Sequence, residues 1–399
     1  MRDALTIDDF RLISKAKMPR VVFDYIDGGV EDELALAGNI SAFQRHAFVP
    51  RYFRDVECRQ HSVTLFDRQY DRCFGISPTG FASIFRSGAD LMLARAARDA
   101  GIPFVLSGAS NAPIEQVAAE APGNVWFQVY GARNRAITKD LLQRAAGSGV
   151  ETLVLTVDVP VTPKRTRNIR NGFGLPPRVT VASVIDAALH PGWTIRYLAS
   201  GGLPKLGNWE PYAPPSASAM EVARVFAKET PDATQTMRDL ETVRSLWKGK
   251  LLVKGILHPD DASDALKRGA DGIWVSNHGG RQIDRVMPSI DALPSIRAAV
   301  GSKPILVIDS GIRRGADIAI ARCLGADFAF VGRATLFGVA AAGEAGARRV
   351  INLLSEELDL VLGQIGCACV NELSSRYLVA GRTSRWGIGE AGPYVTNVA

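Results

Sequence analysis

Between residues 73 and 332, short β-rich runs alternate with helical stretches eight times, and this alternation constrains the fold more than any other feature of the chain. The runs fall at 73–77, 104–107, 125–129, 152–157, 251–255, 272–276, 305–309 and 327–332. They are mostly apolar rather than alternating, as strands covered on both faces of a parallel sheet require. Eight βα units predict an α/β protein, a closed (β/α)8 TIM barrel whose reactive groups collect at the carboxyl ends of its strands. Residues 5–45 read as helices laid before the barrel, because Ile7, Phe10, Leu12 and Ile13 recur at helical spacing and Pro19 opens a second run closed by Gly28-Gly29. One crossover breaks the rhythm: about 95 residues separate strands four and five, which marks a long insertion on the catalytic face. A single domain accommodates all of this, with an N-terminal helical part (1–70), a barrel (71–366) that carries an insertion at 177–216, and a C-terminal tail (367–399).

Composition removes several function classes. Apolar residues make up 47% and charged residues 22% of the chain, which excludes wholesale disorder. The five cysteines are odd in number and lack C-x-x-C spacing, so neither a disulfide framework nor a zinc site is expected, and no metal is predicted. A reducing compartment fits. The first ten residues, interrupted by Arg2, Asp3, Asp8 and Asp9, do not read as a secretory signal, and no apolar run reaches the roughly 18 residues of a spanning helix. The net charge of +6 is concentrated: between residues 161 and 207, Lys164, Arg165, Arg167, Arg170, Arg178, Arg196 and Lys205 face the single acid Asp186. That segment is interleaved with apolar residues and carries no nucleic-acid-binding motif, so an anionic bilayer is the better partner and nucleic acid is not expected.

The strand ends carry the chemistry. After strand six comes Ser276-Asn277-His278-Gly279-Gly280-Arg281-Gln282, where two glycines allow a sharp turn and close backbone approach between a base and a fixed cation. Lys254 ends an apolar strand, a costly position unless the ammonium is paired or faces an anion. Asp309-Ser310-Gly311-Ile312-Arg313-Arg314-Gly315 follows strand seven and Gly332-Arg333-Ala334-Thr335 opens a helix after strand eight. Exposed amides, a helix amino terminus and arginines in those two loops form the common phosphate site of barrels. No G-x-x-x-x-G-K-[ST] loop is present and no G-x-G-x-x-G follows a predicted strand, so a mononucleotide is expected rather than a dinucleotide or a nucleoside triphosphate.

The 276–282 segment resembles the active-site motif of the FMN-dependent 2-hydroxy-acid dehydrogenases and oxidases, and matching segments run from about Met18 to Gly366. The resemblance implies an FMN enzyme that oxidises an L or (S)-2-hydroxy acid to the 2-oxo acid. It implies His278 as base with Asp158 behind it, Arg281, Arg165 and Tyr25 on the substrate carboxylate, and Tyr130 on the C2 hydroxyl. It places Pro78, Thr79, Gly80, Ser107, Gln128, Thr156, Lys254 and Ser276 against the flavin, beside the phosphate loops of Asp309, Gly311, Arg313, Gly332 and Arg333. Within the family the chain is most similar to the membrane-associated (S)-mandelate dehydrogenases, next to the L-lactate dehydrogenases, on Gly80, the run Phe104-Val105-Leu106-Ser107-Gly108-Ala109-Ser110-Asn111, and Leu189-His190-Pro191-Gly192-Trp193. Small residues at Gly80 and Ala109 leave space for an aromatic substituent, so (S)-mandelate is the expected substrate; L-lactate dehydrogenase and oxygen-using oxidase are the alternatives. The insertion is expected to seat the enzyme peripherally on the cytoplasmic side of the inner or plasma membrane, with a quinone as acceptor and a homo-oligomer, a tetramer, as the assembly.

Overall fold

The computed structural model describes residues 4–174 and 178–379. Three helices come first: α1 Ile7–Lys17, α2 Arg20–Asp27 and α3 Leu34–Gln44. Thr6 starts α1 through a reciprocal capping box with Asp9, and Gly28 stops α2 with its N–H donating to the Asp24 carbonyl at 2.9 Å. A short antiparallel hairpin follows, β1 Val63–Leu65 and β2 Arg68–Tyr70. The N-terminal part is therefore not wholly helical as expected from the sequence, because a turn at Phe66 and Asp67, both left-handed, reverses the chain without any glycine.

Eight parallel strands then close a barrel: β3 Phe74–Ile76, β4 Phe104–Leu106, β5 Val125–Tyr130, β6 Thr152–Thr156, β7 Lys250–Ile256, β8 Gly272–Val275, β9 Ile305–Ile308 and β10 Phe328–Val331. The last strand pairs with the first, Ala329 opposite Phe74 and Val331 opposite Ile76. All eight lie within one residue of the ends read from the sequence. Seven barrel strands are followed directly by the helix that covers them: α4 Ala89–Asp99, α5 Ile114–Glu120, α6 Arg135–Gly147, α12 Pro259–Lys267, α13 Ser289–Val300, α14 Gly315–Cys323 and α15 Arg333–Ile365. The exception is β6, after which α7 Thr166–Arg170, α8 Val181–Leu189, α9 Pro191–Ala199 and α10 Ala219–Glu229 precede the covering helix α11 Met237–Leu246.

Aromatic rings fill the amino-terminal half of the barrel. Phe330 lies 4.1 Å from Trp274 and 5.4 Å from Trp126, centroid to centroid, while Phe328 packs edge-on against Tyr70 of the hairpin at 5.8 Å. The hairpin thus plugs the end of the barrel opposite the catalytic face, and Trp126 Nε1 donates to the Tyr70 hydroxyl at 3.2 Å.

The insertion divides its residues more sharply than its composition suggests. Val179, Val181, Val184, Ile185, Leu189, Ile195 and Leu198 are all exposed, and α8 buries nothing. Trp193, expected to face a membrane, instead turns inward: its ring is buried, stacks on Tyr197 at 4.7 Å, and its Nε1 donates to the Ile84 carbonyl at 2.9 Å. A buried indole needs such an acceptor, and the barrel loop supplies it. Two of the cations noted in this region are not free for lipid either, since Lys205 pairs with Glu210 at 2.5 Å and Arg167 is held by three acids of the N-terminal helices. Among the described residues, no helix is long and apolar enough to cross a membrane.

Removing the Phe328 ring would leave a cavity between the hairpin and the barrel. Phe328→Ala should cost about 3–5 kcal/mol, read as a lowered denaturant midpoint with an unchanged slope. A loss under about 1 kcal/mol would show that the hairpin does not depend on this packing.

Candidate active site

The segment 276–282 leaves β8 at the carboxyl end of the barrel. His278, Gly279 and Gly280 are all left-handed, with φ of 57°, 66° and 70°. A histidine in that region carries strain, which its surroundings must hold in place. Ser276 Oγ accepts from the His278 N–H at 3.0 Å, and the Gly279 N–H donates to Ser310 Oγ at 3.0 Å. A side chain at Gly280 would put its Cβ 2.5 Å from the Leu36 backbone nitrogen, so only glycine lets α3 pack here. The resulting turn aims His278 Nδ1 at Asp158 Oδ1, 2.9 Å away. Asp158 in turn needs the bulge in β7: at Gly255, φ 104°, a Cβ would lie 2.6 Å from the Asp158 side chain. Gly255 had no role assigned from the sequence, although a glycine within a strand is itself a sign of a bulge or close approach.

Lys254 is buried beside this pair. Its Nζ lies 2.9 Å from Asp309 and 2.7 Å from Ser276 Oγ, and 5.3 Å from the centre of the Trp274 ring. Burial alone would push Asp309 towards its neutral form, but Lys254 and the Ser77 hydroxyl, donating at 2.7 Å, outweigh it and hold the carboxyl below its usual range. Asp309 thus lines the cavity and at the same time holds the lysine. Ser276 and Ser107, unlike Asp309, stand behind the wall rather than on it. Ser276 supports Lys254 and the His278 turn, and Ser107 donates to Gln128 Oε1 at 3.2 Å. Strand-end serines alternate between lining a cavity and backing it, which spacing alone does not resolve.

These groups surround one cavity of about 630 Å³ at the carboxyl ends of the strands. Tyr25, Pro78, Thr79, Gly80, Gln128, Tyr130, Thr156, Arg165, Lys254, His278, Arg281, Gly311, Arg313, Gly332 and Arg333 all line it. Gln128 Nε2 and Thr156 Oγ1 are buried on its wall without a hydrogen-bond partner, a cost that a polar ligand edge would relieve.

Four arginines converge on the same space, and the hydrogen bonds of their guanidinium groups go to neutral acceptors. Arg281 Nη1 donates to the carbonyls of Tyr25 and Gly28, both at 2.8 Å, and Arg333 donates to those of Ile26, Gly28 and Gly279 at 2.8–2.9 Å. Arg313 donates to the Ile312 carbonyl, and Arg165 to the Arg281 carbonyl and the Gln282 side chain. Burial and the neighbouring charge of Arg165 push Arg281 down to about 10; burial and the charges of Arg281 and Arg313 push Arg333 well below its ordinary value. Such a cluster calls for anions. Arg313, Arg333 and Gly311 come from the chain after β9 and β10, and Arg281, Arg165 and Tyr25 from the chain after β8 and β6 and from α2. Tyr25 stacks on Phe173 at 4.4 Å, and Tyr130 is held protonated, its pKa raised by burial and by Asp158. Among the described residues no group of His, Cys, Asp and Glu is placed to hold a metal ion.

The sequence profile of the FMN-dependent dehydrogenases matches residues 14–380. The chain is 39% identical to (S)-mandelate dehydrogenase of Pseudomonas putida over 377 residues, 94% of each protein, and 40% identical to a putative L-lactate dehydrogenase of Mycobacterium tuberculosis over 94% of this chain and 89% of that one. Its fold superposes on the crystal structure of the monotopic membrane protein (S)-mandelate dehydrogenase with a TM-score of 0.91 at 38% identity, over 95% of this chain and all of that one. The cavity fits the family's cofactor: the unpartnered Gln128 amide and Thr156 hydroxyl suit the polar edge of a flavin ring, and arginines without a carboxylate partner suit its phosphate. The chain belongs to the FMN-dependent dehydrogenase family, and FMN is its cofactor.

Proposed function

We propose that this chain oxidises (S)-mandelate to benzoylformate and passes the electrons to a membrane quinone. The observation that carries the 2-hydroxy-acid reading is the His278–Asp158 pair facing Arg165, Arg281, Tyr25 and Tyr130 across one cavity. Arg281, with one nitrogen committed to the end of α2, keeps the rest of its fork for the substrate carboxylate, and Arg165 and Tyr25 complete the clamp. Tyr130, held protonated, orients the C2 hydroxyl. His278 Nε2 takes the proton; its Nδ1–H is already donated to Asp158, so the imidazolium forms beside a carboxylate without reorganisation. Bound FMN supplies the two-electron acceptor. Pro78, Thr79, Gly80, Gln128, Thr156 and Lys254 would hold its ring, with the Lys254 cation favouring negative charge there, and Gly311, Arg313, Gly332 and Arg333 would hold its phosphate.

Room for a phenyl substituent supports mandelate over lactate. Gly80 and Ala109 contribute almost no side chain, and the remaining wall of Phe81, Leu203, Pro204, Met220 and Phe226 is apolar. An (S)-mandelate dehydrogenase and L-lactate dehydrogenases both stand among the similar proteins, so the shape of the cavity wall carries this choice. Leu203 and Pro204 belong to the same insertion and line the cavity, so the insertion has two parts with separate tasks. Its distal part, α8 and α9, exposes an apolar surface suited to the lipid interface, and the related crystal structure is of a monotopic membrane protein.

Mixing the enzyme anaerobically with (S)-mandelate, (R)-mandelate and L-lactate tests the reading directly, with fast bleaching of the flavin band expected for (S)-mandelate alone. Faster bleaching by L-lactate would replace mandelate as the substrate. In His278→Ala, FMN should remain bound while the reduction rate falls by about 10²–10⁴-fold; near-normal reduction would remove His278 from the mechanism.

Replacing Val181, Val184, Ile185 and Leu189 together by Ser should leave flavin reduction intact and abolish sedimentation with anionic vesicles. Equal sedimentation of this variant and the parent would exclude α8 as the lipid contact.

A further inference from the structure

We propose that Arg167 is a positioning residue, an ionic latch that fixes the loop after β6 on the end of α2 and so sets the spacing between Arg165 and Tyr25; this rests on the carboxylate clamp described above. The loop lies outside the barrel ladder and carries Arg165, Asn168, Ile169 and Phe173 to the cavity wall. Arg165 immediately precedes α7, and Arg167 lies within its first turn. From there the Arg167 guanidinium reaches Asp27 at 3.0 Å, Asp24 at 3.6 Å and Glu33. Asp24 and Asp27 flank Tyr25 on α2, so the acids that hold Arg167 share a helix with one half of the clamp while Arg167 shares a helix turn with the other.

The geometry is more than a surface ion pair. The carboxylates of Asp24 and Asp27 are only 10% exposed and that of Glu33 20%, so solvent screens them weakly. Arg11 shares Asp27 at 2.5 Å, Arg20 shares Asp24 at 3.3 Å, and the Asn171 amide at the end of α7 also donates to Asp24. Burial works against the charge of Arg167, but Glu33, Asp27 and Asp24 more than restore it. Without Arg167, three clustered acids lose a shared counter-charge. Among the described residues the loop then keeps lighter ties: the Tyr25–Phe173 stack, the Glu31 N–H bond to the Lys164 carbonyl at 3.0 Å, the Gln282 amide bond to the Asp158 carbonyl, and the bonds made by Arg165 and Asn171. Arg165 would then sample positions too far from Tyr25 for both to meet one carboxylate. Binding suffers first, because the His278 turn is held by Ser276 and Ser310, and Asp158, two residues past β6, is tied to His278 and through its carbonyl to Gln282, so the base does not depend on α7.

Anaerobic stopped-flow reduction of the FMN holoenzyme by a concentration series of (S)-mandelate tests this. Arg167→Gln should raise the apparent Kd about tenfold while the limiting reduction rate changes by less than about threefold, as expected of a group that positions substrate and not the base. Arg167→Lys, which keeps the charge, should recover part of the affinity. Glu33→Gln should weaken binding by itself, and the double variant should be no worse than Arg167→Gln alone, because both remove one interaction. Arg170→Gln, an exposed cation on the same helix, controls for bulk charge and should change Kd by less than about twofold. An unchanged Kd in Arg167→Gln, or an equal rise in Arg170→Gln, overturns the latch. Should Arg167→Gln fail to retain FMN, Glu33→Gln alone decides, since a glutamine can keep the bond from the Gly29 N–H at 3.0 Å: raised Kd with a near-normal limiting rate supports the latch, and parent-like Kd overturns it. If the parent flavin is not bleached by any 2-hydroxy acid, the functional reading falls and the clamp-spacing role falls with it.

Discussion

The site depends on how buried guanidinium charge is tolerated in a barrel that offers it no carboxylate. The carbonyls of Tyr25, Ile26 and Gly28, at the carboxyl-terminal end of α2, accept from Arg281 and Arg333. These are groups that a helix end leaves unpaired, and they carry the negative end of its dipole. The arrangement fixes each guanidinium by its backbone-facing edge without neutralising it. Full carboxylate partners would hold the arginines equally well and leave little attraction for a phosphate or a substrate carboxylate. The buried acid on the cavity wall, Asp309, pairs with Lys254 and not with an arginine.

The same economy governs the base. His278 occupies a left-handed turn that glycine would adopt at lower cost, and the turn is held by Ser276, by Ser310 and by the close packing of Gly280 on α3. Asp158 reaches it because β7 bulges at Gly255. One carboxylate oxygen of Asp158 bonds the imidazole and the other is buried without a partner. The acid is thereby poised to respond to charge arising on the histidine.

The fold was legible because each barrel strand is a short apolar run bounded by glycine or polar residues, a pattern that only a sheet covered on both faces produces. The β1–β2 hairpin escaped because Phe66 and Asp67 make its turn in place of the glycine or asparagine that would announce one. At the site, residues whose chemistry is costly in a barrel, such as Lys254, His278 and the arginines, declared themselves. Serines at strand ends did not, because a one-residue change of facing decides whether they touch a ligand or support a neighbour. Trp193 was misplaced for a related reason. An amphipathic aromatic suits a lipid interface and a protein crevice equally, and the acceptor that decides between them, the Ile84 carbonyl, is about a hundred residues away in sequence.

The α2 carbonyls that hold Arg333 come from before the first barrel strand, and Arg333 comes from after the last, 307 residues later for the Ile26 contact. On the ribosome, the first half of that contact waits exposed until nearly the whole barrel has been made. A nascent chain released before β10 lacks the phosphate-side arginine and the strand that closes the sheet, so it has neither a sealed barrel nor a complete flavin cradle. The cradle is thus completed only when both ends of the barrel chain are present.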